Sequence, residues 1–412
     1  MILFHADTEI QTPLTASPTG CDSSDLGGTM ADGLHIFTAH PAPAPRAEED
    51  RLAMLRLIRS RRVGPVTAHR LLREEGSARA ALAALPGVAA AAGIDGYSPC
   101  PVEVALAEMR AGAAQGARMI CHGEAGFPAA LNDMPDAPMV LWVVGDAGLM
   151  ARPMVALVGA RNASSLGVRM ARRLAAELGE AGFAVVSGLA RGVDAAAHEA
   201  ALPHGTIAVQ AGGVDVLYPQ ENADLARRIG QQGCRISEQP MGVEPQSRHF
   251  PQRNRIVSGL AQAVVVVEAA ARSGSLITAR IALDQGREVM AVPGHPFDAR
   301  ATGCNMLLRD GATLVRCGAD VLEALGRPVT RPPQVREPAV ATTVPEAPVR
   351  RARTDIADVH GQILARLGPS PLAEDQLIRD LAVAPGLIAQ ELLSMELEGI
   401  IIRSPGGLVS RN

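Results

Sequence analysis

The chain has 412 residues, is 47% hydrophobic and 20% charged, and carries a formal net charge of −4. That size admits two to four domains with a sizeable core, while the acidic balance excludes a globally basic protein, so any nucleic-acid surface must be a local patch. All 39 basic residues are arginine, which rules out a Walker A loop and a lysine Schiff base, and an aromatic content of 2% argues against a surface built from many stacked bases.

Residues 1–45 are rich in Pro, Thr, Ser, Gly and Asp without periodicity and read as a disordered tail. They contain no arginine, so no positively charged leader region is seen. Residues 46–100 read as a small helical module. RLAMLRLIRSRRVGPVTAHRLLREEG carries apolar positions at helical spacing, broken at Val63-Gly64-Pro65, and a second break is expected at Leu85-Pro86-Gly87-Val88. The pattern is similar to helix-hairpin-helix or SAM-like modules. Pro65, where the second glycine of such a turn would stand, offers no amide, which favours packing over phosphate contact. Residues 101–152 read as a helix and then strands, a segment connecting the helical module to the next domain.

Over 153–325, strand and helix alternate. MVALVG, FAVVSG, TIAVQAG, CRISE, AVVVVEA, EVMAVPG and TLVR are mostly continuous apolar runs, as strands buried on both faces of a parallel sheet require. Helices are expected over 166–181 and 276–285. The fold class is α/β: a Rossmann-like, doubly wound, mostly parallel sheet. Residues 326–354 hold six prolines and six arginines against two acids and read as a semi-extended linker. Residues 355–412 give three helices and a hairpin around Ser404-Pro405-Gly406-Gly407, which together make a winged helix. With eight acids and four arginines, this domain suits protein docking better than DNA reading.

Cys21, Cys100, Cys121, Cys234, Cys304 and Cys317 form no C-x-x-C pair. They read as reduced thiols of a cytoplasmic protein. No run of about 18 apolar residues suggests a membrane span, and no ligand pattern suggests a metal site.

In doubly wound sheets, ligands bind beyond the carboxyl ends of the strands. Here those ends are Gly159, Ser187-Gly188, Gly212-Gly213 and Pro293-Gly294, small enough for a ligand backbone to come close. VGARNASSLG departs from G-x-G-x-x-G at Arg161. The side chain there would obstruct a pyrophosphate, and no acid ends the second strand to hold a ribose, so no nicotinamide cofactor, nor any other, is expected. SRHFPQRNRIVSG sets Arg248, Arg253 and Arg255 beside Phe250 and Asn254, with no acid between Glu244 and Glu268. This grouping is suited to holding phosphates while stacking a base. RSGSLITA (272–279) opens a helix with amides available to a phosphate, with a simple serine cap as the competing reading. Asp194 and His198, one helical turn apart, are read as a structural pair rather than a catalytic one. No G-x-S-x-G is present, and no catalytic residue is assigned.

VGARNASSLG, VVSGLARGVDAAAHEAAL, GGVDVLYPQEN, ISEQP, HFPQRNRIVSGL, VVVEAAARSGSLITARIALDQGREVMAVPG and GCNMLLRDGA come one after another in an order that resembles the DprA/Smf (DNA processing protein A) family. The resemblance implies a cytoplasmic homodimer, not an enzyme, that binds single-stranded DNA during natural transformation and helps load the RecA recombinase onto it. By motif position it implies DNA contacts from Arg161, Arg253 and Arg255, with Gly188, Phe250, Asn254, Ser273 and Gly274 around them. Leu166 departs from the family, which often has an aromatic residue there. The alternative, a nucleoside monophosphate phosphoribohydrolase on a related sheet, needs a PGGxGTxxE loop. EAAARSGSLITA lacks its glycine pair and its glutamate.

Overall fold

The computed structural model describes residues 47–327, 356–368, 371–404 and 407–412. The tail expected over 1–45, and the linker expected over 326–354 beyond its first two residues, lie outside them, as does the hairpin tip at 405–406.

The N-terminal module consists of α1 (Glu48–Arg59), α2 (Pro65–Glu75) and α3 (Ala78–Ala91). Pro65 begins α2, where a missing N–H costs nothing because the first-turn amides have no intrahelical partner. The break expected at Leu85-Pro86-Gly87-Val88 does not occur, and α3 runs through Pro86. Leu82, Leu85 and Ala89 are buried along its length, and that packing on both sides of the proline outweighs one lost backbone hydrogen bond.

Next along the chain come α4 (Val102–Ala114), β1 (Arg118–Cys121) and β2 (Val140–Gly145). Glu108 of α4 ties these pieces together. It accepts from Arg59 Nε at 2.9 Å, Arg59 Nη2 at 2.8 Å and Trp142 Nε1 at 2.8 Å. Leu55, Leu71, Met119 and Trp142 share one core, so the helical module packs directly on the first hairpin.

The αβ succession is β3 (Met154–Val158), α5 (Ser165–Glu180), β4 (Ala184–Ser187), α6 (Val193–Ala201), β5 (Thr206–Val209), α7 (Ala223–Gln232), β6 (Cys234–Ser237), α8 (His249–Leu260), β7 (Ala263–Val266), α9 (Gly274–Asp284), β8 (Glu288–Ala291), α10 (Thr302–Arg309), β9 (Thr313–Leu314) and α11 (Gly318–Ala324). Every residue of β3, β4, β5, β6 and β7 is buried, which explains the largely apolar character of β3, β4, β5 and β7, while β6 buries Arg235 among its four residues. The sheet has nine strands in the order β1-β2-β6-β5-β4-β3-β7-β8-β9. All pairs from β6 through β9 are parallel. β1 and β2, in the segment read as a connection, extend the same sheet antiparallel on β6. From β3 the succession runs outward to β6 and then resumes on the other side at β7. The crevice between β3 and β7 is therefore the topological switch point, where doubly wound folds bind ligands.

The C-terminal winged helix comprises α12 (Ile356–Arg366), β10 (Leu372–Ala373), α13 (Glu374–Leu381), α14 (Pro385–Leu397), β11 (Ile401–Ser404) and β12 (Leu408–Arg411). Ile363, Leu377, Leu392 and Met395 fill its core. Two acids of its acidic helix pair internally, Glu391 with His360 at 3.7 Å and Glu396 with Arg403 at 3.2 Å. Among the described residues, no helix is long and apolar enough to cross a membrane.

Asp194 and His198 have different partners. Asp194 Oδ2 accepts from the amides of Gly188 and Ala190 at 3.1 and 3.3 Å. Thr206 Oγ1 donates its one proton to the Val185 carbonyl at 2.9 Å. It must therefore accept from His198 Nδ1, 2.7 Å away, which leaves Nε2 unprotonated, buried and unpartnered among the described residues. Burial first, and then the charge of Arg253, push the His198 pKa down to about 3. The fold thus binds neutral His198 while the unfolded chain binds a proton near the ordinary value of 6.5. Stability from this group is complete above pH 6.5 and is lost progressively as pH falls toward 3. At pH 5.5 the loss should be about 1 kcal/mol. Comparison of thermal or urea unfolding at pH 7 and 5.5 should show His198→Gln losing less than the parent by that amount, and equal pH responses would refute the assignment.

Candidate functional site

The crevice at the switch point is built from four segments. The loop after β3 presents Arg161, whose guanidinium lies 5.1 Å from the Phe250 ring centroid. The segment after β4 brings Gly188 to the floor, and it is fixed by the amide bonds to Asp194 and by Ser187 Oγ donating to Leu157 O at 2.6 Å. α6 can start this close to the β3 loop only because residue 192 is glycine. Its φ is +77°, and a Cβ there would lie 2.3 Å from the Ala160 carbonyl. The first turns of α8 place Phe250, Arg253 and Asn254 over the strand ends, and α9 begins at the far wall with Ser273 and Gly274.

These walls enclose a cleft of about 690 Å³ lined by Arg161, Arg253, Asn254, Arg272, Ser273 and Gly274, among others. A second chamber of about 640 Å³ adjoins it and shares Arg161, Phe250 and Arg253. Arg253 is the common floor. It is only 8% exposed, and its Nε has no hydrogen-bond partner among the described residues. Burial lowers its pKa, opposed by the charge of Asp194, and burial raises that of Asp194. A guanidinium has no accessible neutral form at neutral pH, so this is a desolvated cation in the lining of both chambers. An anion there would complete it.

At the α9 wall, Ser273 Oγ accepts from the Ser275 amide at 3.3 Å, so the serine cap weighed as the competing reading is present. A Cβ on Gly274 would meet nothing within 4 Å, so the cleft beside that turn is open. By contrast, the α5 N-terminus is filled by the chain itself. Ser164 caps Gly167 at 3.0 Å, and buried Glu268 accepts from Ser164 Oγ at 2.8 Å.

Seven of the residues singled out in the sequence thus come together. Arg161, Phe250, Arg253, Asn254, Ser273 and Gly274 line the first cleft, while Gly188 lines the second chamber with Arg161, Phe250 and Arg253. Arg255 stands apart and lines neither. It donates to the Asp136 carbonyl and to Glu238, and lies 3.5 Å from the Asp136 carboxylate, clamping α8 to the loop before β2.

Among the lining residues that the sequence reading does not single out are Arg272, Tyr218 and Arg300. Arg272 sits directly before the Ser273-Gly274 turn, Tyr218 lies in GGVDVLYPQEN, and Arg300 comes after the Pro293-Gly294 strand end. Arg300 also joins the winged helix to the rim. It donates to Ala365 O at 2.6 Å and Leu367 O at 2.7 Å while pairing with Asp298 at 3.1 Å and Glu268 at 3.5 Å. The carbonyls that close α12 are the negative end of its dipole, a favourable place for a cation.

Family models match the chain over three stretches: DNA recombination-mediator protein A over residues 118–326, a DprA-like N-terminal HHH domain over 48–111, and a DprA winged helix domain over 345–407. The chain is similar to the DNA processing protein DprA of Streptococcus pneumoniae, with 44% identity over 48% of this chain and 70% of that one. It is similar to protein Smf of Escherichia coli, with 37% identity over 69% and 74% of the two chains. A solved structure of DNA processing protein A from Helicobacter pylori, described for its single-stranded DNA binding mode, is similar with 31% identity and a TM-score of 0.47, over 51% of this chain and 95% of that one.

Proposed function

The chain belongs to the DprA/Smf family of DNA recombination-mediator proteins, and from that premise we propose that it binds single-stranded DNA in the cleft between β3 and β7. The observation that carries the proposal is Arg253, a buried guanidinium with an unpartnered Nε on the cleft floor. Arg161 and Arg272 line the same cleft, so successive phosphates of one strand have cations to track. A duplex is too thick and stiff to bring a phosphate down to a recessed floor, whereas a flexible single strand can enter. Phe250, Asn254, Ser273 and Gly274 supply stacking and hydrogen bonds along the same path, Gly188 leaves room for Arg253, and Arg255 holds α8 in place from behind. The domains fall at 46–100, 153–325 with the preceding hairpin, and 355–412.

Family membership supports the remainder of the proposal. The protein acts as a cytoplasmic homodimer without a cofactor, and without turning over a substrate, in DNA processing during natural transformation. There it hands the bound strand to the RecA recombinase. Fluorescence anisotropy with a labelled oligonucleotide at several salt concentrations tests the DNA step. Single strands should bind more tightly than duplex, with log affinity falling against log salt at about −0.7 per phosphate neutralised. Equal affinity for the two forms, or a salt-independent one, would count against the cleft.

A further inference from the structure

We propose that the winged helix and the central αβ domain share a phosphate site. Arg366, at the end of α12, closes on Arg161 and Arg191, and a bound strand draws the two domains together. This rests on the single-stranded DNA reading and deepens it.

A further chamber, of about 550 Å³, is lined by Arg161, Asn162, Arg191, Asn222 and Arg366, among others, and no acid is among its described lining residues. Arg161 and Arg191 come from the loops after β3 and β4, and Arg366 from the last turn of α12. Arg191 pairs with Glu221 at 3.3 Å, both side chains being well exposed. Arg161 stacks on Phe250, and among the described residues neither Arg161 nor Arg366 has an acidic partner. Three guanidinium groups around one chamber repel one another, and an anion between them replaces that repulsion by attraction. The planar fork of arginine matches a phosphate in particular. The acidic helix α14 contributes no residue to this chamber, so its carboxylates do not line the place an anion would take.

The seat of the winged helix is polar and open. Arg300 caps α12 by donating to Ala365 O at 2.6 Å and to Leu367 O at 2.7 Å. Beside these bonds the two domains leave a space of about 810 Å³, lined by Phe297, Arg300, Leu364, Leu367 and Arg411, among others. Phe297 stays 88% exposed there, so no apolar packing seals the junction. Junctions of this kind between domains permit relative motion. Arg366 lies between the two capped residues, so the cap that seats the helix end also sets the third cation in place. An anion that needs Arg366 together with Arg161 and Arg191 binds the docked arrangement better than the undocked one. It must then favour docking by the same free energy that docking adds to its binding.

The test is hydrogen exchange on the full chain, with and without a single-stranded oligonucleotide, alongside anisotropy titrations. In the parent, the strand should slow exchange over residues 361–368, which line no part of the first cleft. Arg366→Ala should lose that protection and bind the strand about fivefold more weakly. Its salt slope should be shallower by about 0.7, the share of one phosphate. Arg366→Lys, which keeps the charge, should recover most of both. Inorganic phosphate alone, at matched ionic strength, should not protect 361–368, because no neighbouring phosphates hold it from the first cleft. Equal protection in the parent and Arg366→Ala would overturn the shared site while leaving the DNA reading intact. So would an unchanged affinity and salt slope, or protection by inorganic phosphate as full as by the strand. A parent protein that binds no single strand would overturn the DNA reading and the shared site with it.

Discussion

Arg253→Ala is expected to weaken binding of a single-stranded oligonucleotide by about 10- to 100-fold, the size of a charge-assisted hydrogen bond made in a desolvated place. The variant should stay folded. Arg253 lies below the cleft at 8% exposure, and its nearest acid, Asp194, keeps the amides of Gly188 and Ala190 as partners. Removing the guanidinium also removes a cation that the fold had to desolvate, so the cost of the loss and the relief of that burial oppose each other. Arg161→Ala removes an exposed cation from the rim and should cost less, about 5- to 10-fold, because solvent screens it. Arg253→Lys should recover only part, since an ammonium lacks the planar fork. Anisotropy titrations, with circular dichroism to confirm folding, decide the matter. A folded Arg161→Ala/Arg253→Ala protein that binds as tightly as the parent would remove this cleft from consideration.

The contrast between Arg253 and Arg255 shows how far a sequence carries. Both read as contacts because they stand together in FPQRNRI. Once α8 is a helix, two residues apart means roughly 200° around its axis, so one side chain facing the cleft sends the other away. The helix itself is legible, and that geometric step is available from it. What waits at the far side is not, because Glu238 and Asp136 come from other segments of the chain.

The same distinction runs through the fold. Strands β3, β4, β5 and β7 can be read because burial on both faces forces a local signature. The placement of β1 and β2 beside β6 cannot, since antiparallel pairing with a strand some ninety residues on leaves no mark within either segment. Pro86 misleads for a related reason. Its backbone preference is local, while the packing of Leu82, Leu85 and Ala89 that overrides it is tertiary. Tyr218 is rare and lies in GGVDVLYPQEN, but neither mark says that its ring reaches the chamber.

Gly188→Ala adds one methyl group and is expected to weaken single-strand binding as much as Arg253→Ala does. A Cβ on Gly188 would lie 1.2 Å from Arg253 Nη1, 2.1 Å from Cζ and 2.5 Å from Nη2, so the methyl and the guanidinium cannot share the floor. The guanidinium is the far end of a flexible side chain and gives way before the backbone does. Gly188 is not among the glycines with positive φ, so alanine fits the backbone conformation there. The fold should therefore survive with Arg253 present but displaced from the strand's path. The two substitutions act on one interaction, so a double-mutant cycle should be strongly non-additive, with Gly188→Ala/Arg253→Ala binding no more weakly than either single variant. The competing account has the Gly188 backbone itself touching the strand. Its amide already donates to Asp194 Oδ2 at 3.1 Å, so on that account the contact is close approach of the strand to the glycine. If close approach were the cause, the losses from the two substitutions would add, and additive losses would show that Gly188 makes room for DNA rather than for Arg253.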